Sequence, residues 1–157
     1  MKNSDVRTHV SKLLEWGDAH VTFDVAVKGI PPRRRGTVPP SWEYSLWQLV
    51  EHIRIAQADI YEFCVSAKYK EKKWPDGYWP ASRAPRSAAA WMRSIAEIRR
   101  DRTKLQRLAA NPKIDLLATI PHGTGQTYLR ELLLIADHTA YHVGQIVALR
   151  RQFRNWK

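Results

Sequence analysis

The sequence predicts an all-α fold, a four-helix bundle with long crossover connections. Three observations lead there. Apolar residues recur at helical spacing in four separate segments. Loops rich in proline, glycine or tryptophan divide those segments. No stretch of any length alternates apolar and polar residues as a half-buried strand does. At 157 residues the chain suits one compact core, so residues 1–157 are expected to form a single domain.

The first helical pattern runs from about Asp5 to Lys28, with Val6, Val10, Leu13, Leu14, Val21 and Phe23 as its apolar stripe. Gly17 and Asp18 are a potential break within it. The segment GIPPRRRGTVPP, residues 29–40, reads as a connector. The second helix begins after Ser45, a candidate N-cap with Gln48 three residues on, the signature of a capping box. Leu46, Leu49, Val50, Ile53, Ile60 and Phe63 carry its periodicity to about Ala67. The loop KEKKWPDGYWPASRAP has too many prolines to be helical throughout.

A third helix is expected from about Ser87 to Ala109, with Trp91, Ile95, Ile98, Leu105 and Leu108 inward and a row of arginines outward. Asn111-Pro112 stops it, and residues 112–126 form a loop ending in IPHGTGQ. The fourth helix runs from near Thr127 to about Phe153, its apolar face supplied by Leu129, Leu132, Leu133, Ala136, Val143, Ile146 and Val147.

Composition narrows the function classes. Cys64 is the only cysteine, so no intrachain disulfide, cysteine metal cage or CxxC redox pair is available. No signal-peptide pattern and no membrane span is read from the sequence, so a cytoplasmic location is expected. The formal net charge of +11 favours anionic small molecules or surfaces. It is spread over Arg33 to Arg35, Lys70 to Lys73, Arg99 to Arg107 and a C-terminal group ending in Lys157, without a nucleic-acid motif. A nucleic-acid partner is therefore not expected.

The chemistry concentrates in DHTAYHVGQIVALRR, residues 137–151. His138 and His142 are four apart, so on a helix they share one face with Cβ atoms about 5–6 Å apart. Two imidazoles so placed can each reach one metal ion. They can equally be structural histidines hydrogen-bonded to a carboxylate or a carbonyl, and spacing alone leaves both readings open. His52 on the second helix, between Leu49 and Ile53, is the candidate third ligand. Three imidazoles would leave coordination positions for water or substrate, the pattern of a catalytic site. Thr139 stands where a zincin protease carries the glutamate of H-E-x-x-H, which argues against metalloprotease chemistry.

SLWQLVEHIRIAQADIYEF, residues 45–63, together with HTAYHVGQI, residues 138–146, resembles the DinB/YfiT-like family. Its pattern is one histidine early in the second helix and H-x-x-x-H-x-G-Q in the fourth. The resemblance extends over nearly the whole chain, including the WPDGYWP loop and the IPHGTGQ turn. It implies a metal triad at His52, His138 and His142, with Gly144 and Gln145 matching the G-Q. It also implies a bundle with an unusual helix order, a divalent zinc, nickel or iron ion, and homodimers. The activities it implies are low-molecular-weight-thiol-dependent transfer or isomerisation, or hydrolysis.

The expected function is then a metal-dependent enzyme of thiol-transferase or hydrolase type acting on a small molecule. Metal-bound water or a metal-bound thiolate would serve as its nucleophile. The alternative is a non-catalytic metal-binding or stress-response interaction module. Around the triad, Gln48, Glu51, Asp137 and Tyr141 are candidates for fixing the imidazoles, although Asp137 and Tyr141 are expected to project to other faces. His122 is read as an exposed loop histidine, His20 as a partly buried packing residue and His9 as surface. Trp42, Trp47, Trp74, Tyr78 and Trp79 are read first as core or loop packing and second as pocket walls. Arg33 to Arg35 are read as a solvated loop, and Cys64 as a buried small hydrophobe.

Overall fold

A computed structural model describes residues 3–15 and 17–156. Lys157, the end of the C-terminal basic group, and Trp16, inside the first helical pattern, lie outside the described residues. The architecture is all-helical: α1 (Asn3–Leu13), α2 (Phe23–Val27), α3 (Pro32–Arg35), α4 (Leu46–Val65), α5 (Ala88–Ala110) and α6 (Tyr128–Gln152), with a 3-10 turn at Asp76–Tyr78. Among the described residues the only β pairing is an isolated bridge between Thr119 and Thr127.

Side-chain caps set the starts of the long helices. The Ser45 hydroxyl accepts from the Gln48 amide at 3.1 Å, and the Gln48 side chain accepts from the Ser45 amide at 3.1 Å, which closes the expected capping box on α4. Ser87 caps α5 through the Ala90 amide, and Thr127 caps α6 through the Arg130 amide. At the other end of α5, Arg7 from α1 donates to the carbonyls of Ala109 and Asn111 at 3.1 and 2.7 Å. It thereby satisfies acceptors that helix geometry leaves free.

The first helical pattern is two helices. The chain leaves α1 after Leu13, passes Gly17 and Asp18, and restarts at Phe23 with Thr22 as cap. The break lets the two pieces pack differently: α1 lies against α5 and α6, and α2 lies against α6. Arg102 pins the intervening segment. It is buried and bridges Glu15 and Asp24, each at 2.9 Å, so the arginines of α5 do not all face outward. The 29–40 connector contains a helical turn, α3, from which Arg34 stacks over Phe153 and Arg35 over Trp91. These two are aromatic-packed cations rather than solvated loop residues.

The core has two parts, and α4, α5 and α6 contribute to both. One gathers Phe23, Leu46, Ile53, Trp91, Ile98 and Ile146; the other Val10, Leu105, Leu116, Ile120, Leu132 and Ile135. Leu133, expected inside, is exposed. By length and composition alone α6 is apolar enough to cross a membrane. The core helix of a globular bundle has the same character, and α6 is seated in both core clusters.

Candidate metal centre

α4 and α6 pack against each other, and this contact brings residues 86 positions apart face to face. His138 and His142 point from successive turns of α6 toward His52 on α4. The rings lie with centroids 4.4–4.7 Å apart. One ring nitrogen from each of the three lies within 4.8 Å of the others. That is close enough, after a small side-chain rotation, to share one ion with metal–nitrogen bonds of about 2.0–2.1 Å.

Hydrogen bonds settle which nitrogens face inward. His52 Nδ1 lies 2.8 Å from the Tyr78 carbonyl oxygen, which only accepts, so Nδ1 carries the proton and Nε2 keeps its lone pair. His142 Nδ1 similarly donates to Gln145 Oε1 at 2.7 Å. Gln145 is oriented in turn by its amide group, which donates to the Tyr141 hydroxyl at 3.2 Å. His138 Nε2 is 2.9 Å from His52 Nε2, while His138 Nδ1 is buried with no hydrogen-bond partner. The three imidazoles alone thus leave a polar nitrogen unsatisfied whichever tautomer His138 adopts. Two rings hold their protons on the outer nitrogen and turn lone pairs inward. This is the donor set a divalent cation requires, and the residues fit such an ion.

Electrostatics points the same way. Burial, then the neighbouring His142 and His52, pushes the His138 pKa down to about 3. Burial also lowers His142, to about 4, against the opposing Gln145 hydrogen bond, and it lowers His52. All three rings are neutral at pH 7 and need no deprotonation to ligate a metal.

The triad opens into a cavity of about 920 Å³. Its walls include Trp74, Tyr78, Trp79, Phe63 and Tyr141, so three of the aromatics read first as packing residues are pocket walls. Trp79 stacks on His52 with ring centroids 4.0 Å apart and planes within 1°, and Tyr44 stacks on the far face of Trp79 at 3.9 Å. Trp47 belongs to the core, and Trp42 packs against it. Two buried carboxylates line the cavity, each with a cation at hand: Glu131 with Arg130 at 2.6 Å, Asp59 with Lys72 at 3.4 Å.

The remaining candidates fall elsewhere. Glu51 is buried but turned toward α5, where it takes Arg54 at 2.9 Å and the Ser94 hydroxyl, so it does not serve His52. Gln48 is spent on the α4 cap. Asp137 and His20 line a separate cavity of about 460 Å³ bounded by α5 and α6, and His20 is exposed rather than partly buried. Tyr141 does not project away; its ring lies edge-on to His142 at 5.0 Å. His122 is exposed as expected, yet it lines the triad cavity and donates Nε2–H to the Phe63 carbonyl at 2.7 Å. His9 is exposed. Cys64 is buried, its thiol pushed up to about 12 by burial and by Glu131, and it is inert as a nucleophile at neutral pH. The sequence reading missed the partners of His52, namely Tyr78 through its carbonyl and Trp79 through its ring.

A family model for the DinB superfamily matches residues 17–146. Comparison with curated proteins and with solved structures finds no match.

Proposed function

Because the chain belongs to the DinB superfamily, we propose that it binds a divalent metal ion through His52, His138 and His142 and acts as a metal-dependent enzyme on a small molecule. The observation that carries the reading is the inward convergence of three neutral imidazoles at one end of a roomy, aromatic-walled cavity. Zinc, nickel and iron all suit nitrogen donors of this kind. When bound, the ion would supply Lewis acidity to a water or a thiol.

The chain's own residues do the rest. Tyr78 and Gln145 hold protons on the outer nitrogens of His52 and His142 and so orient both rings. Trp79 covers one face of His52 and limits water there. Trp74 and Tyr141, both largely exposed, stand at the cavity's rim where a substrate would enter. Glu131 and Asp59 line the cavity without bonding to the triad imidazoles, and the reading assigns neither of them the role of a base. Thr139 stands where a zincin carries its glutamate, so the reading is thiol transfer or small-molecule hydrolysis rather than peptide-bond cleavage.

On the same reading, α1, α4, α5 and α6 are the four helices of the bundle, α2 and α3 lie in a long crossover, and the chain is one domain. It would act in the cytoplasm, as a homodimer, on a low-molecular-weight thiol or another small substrate, with no role for nucleic acid. Metal analysis of untagged protein tests the reading. It should show metal in wild type and loss of most of it in His138→Ala. Absence of metal in wild type after exposure to zinc, nickel and ferrous ion would sink it. Turnover with a panel of small thiols and electrophiles then separates an enzyme from a binding module.

A further inference from the structure

We propose that Asp59 and Tyr78 are positioning residues for the metal centre: the Asp59 carboxylate anchors the Tyr78 side chain, and the Tyr78 backbone carbonyl, so anchored, fixes the imidazole of His52. The inference rests on the metal-binding reading above and extends it from the ligands to the brace that aims one of them.

Asp59 lies seven residues after His52 on α4, two turns along the same face, or about 10.5 Å of helix rise. Asp59 is buried, only 5% exposed. Oδ2 accepts the Tyr78 hydroxyl at 2.8 Å and the Tyr69 hydroxyl at 3.1 Å. Hydrogen bonds from a neutral donor to a buried carboxylate are stronger than neutral pairs, so this grip on Tyr78 is firm. The Tyr78 carbonyl then accepts His52 Nδ1–H at 2.8 Å. The next residue, Trp79, lays its indole flat on the same imidazole. One short stretch of backbone therefore holds His52 by an edge and a face.

Trp79 is also held by Tyr44, which stacks on its ring at 3.9 Å, and by the core beneath it, but the Tyr78 side chain is tied to α4 through Asp59. Between the end of α4 and the start of α5 the chain's regular structure is the single 3-10 turn Asp76–Tyr78. A loop of that kind aims a histidine only if something fixes the loop, and at Tyr78 Asp59 does so from the helix that carries the histidine. The circuit is closed: α4 to Asp59, to the Tyr78 hydroxyl, through the Tyr78 backbone, to His52 and back to α4. His138 has no comparable brace, since its outer nitrogen has no partner. His142 has a local one, Gln145, on its own helix. His52 is the ligand whose aim depends on a distant loop.

Tyr69 provides an internal comparison. It donates to the same carboxylate oxygen, but its backbone amide bonds to the Ser66 carbonyl rather than to the triad. Tyr78→Phe and Tyr69→Phe therefore each remove one phenol hydrogen bond from Asp59 together with the contact between the two hydroxyls, and only the first cuts the bond from Asp59 to Tyr78. Asp59→Asn weakens both bonds while keeping the side chain's size. The full-length variants would be compared by zinc competition titration, by urea unfolding and by exchange of the His52 Nδ1 proton in metal-free protein, read by NMR. Tyr78→Phe and Asp59→Asn should lose about tenfold in zinc affinity and exchange the His52 proton faster. Tyr69→Phe should keep wild-type affinity and exchange while losing similar unfolding stability. The proposal is overturned if Tyr78→Phe matches Tyr69→Phe in affinity and exchange. Failure of wild type to bind zinc would refute the metal reading separately, and the exchange comparison would still decide the brace.

Discussion

Acid should weaken the metal-free protein steeply between pH 6.5 and 4.5, and the triad should be the cause. His138 and His142 have pKa values lowered by burial to about 3 and about 4, from 6.5 for the free side chain. In that window the unfolded chain binds protons that the folded chain refuses, so stability is full above pH 6.5 and falls as the pH drops toward the folded values. At pH 4.5 each ring held neutral sits about two pH units below its unfolded pKa, worth about 2–3 kcal/mol. The pair gives a loss of about 5 kcal/mol, and His52, shifted the same way, adds to it. That is comparable to the whole stability of a domain this size. Urea unfolding in the presence of chelator at pH 7.0, 5.5 and 4.5 measures it. His138→Gln should flatten the pH slope by about one proton. Asp24 does not confuse the window. Burial would raise its pKa, but Arg99 and Arg102 outweigh that and hold it below its ordinary value, so its contribution is lost only at lower pH. A midpoint that stays flat to pH 4.5, or a His138→Gln slope equal to wild type, would refute the reasoning.

Two further substitutions probe the frame around the site. A Cβ added at Gly36 would lie 2.4 Å from the Ala84 Cβ and 3.0 Å from its Cα, so Gly36→Ala should force the 83–84 backbone away and cost about 1–3 kcal/mol in urea unfolding; an unchanged midpoint would show that the segment is free to retreat. Arg102→Met leaves Glu15 and Asp24 without their shared partner while Asp24 keeps Arg99, so a loss of about 1–3 kcal/mol is expected by the same assay, with partial recovery in Arg102→Lys.

Much of this was legible in the sequence because it depends on local rules. The Ser45–Gln48 box, the Ser87 and Thr127 caps and the Asn111-Pro112 stop place α4, α5 and α6 within about two residues of their ends. The i, i+4 spacing of His138 and His142 is likewise a property of one helix, and pairing them with His52 needed only helix faces and a family pattern. What escaped depends on tertiary contacts. A backbone carbonyl has no sequence signature, so Tyr78 O against His52 was invisible. Glu51 stands beside His52 in sequence, yet adjacent helical residues face about 100° apart, and Glu51 went to Ser94 and Arg54 instead. The inward turn of Arg102 follows from where the α1–α2 break places two acids, which no periodicity encodes.

Consider finally the chain as a polymer. A single buried cysteine gives it no covalent cross-link of its own. His52 and His138, however, meet across 86 positions. An ion shared by them would tie off a loop longer than half the chain. On the chain-entropy estimate used for disulfides, closing a loop of that length removes about 4–5 kcal/mol of freedom from the unfolded ensemble. The site would then serve as a reversible clasp between α4 and α6, one that chelators open and no reductant can.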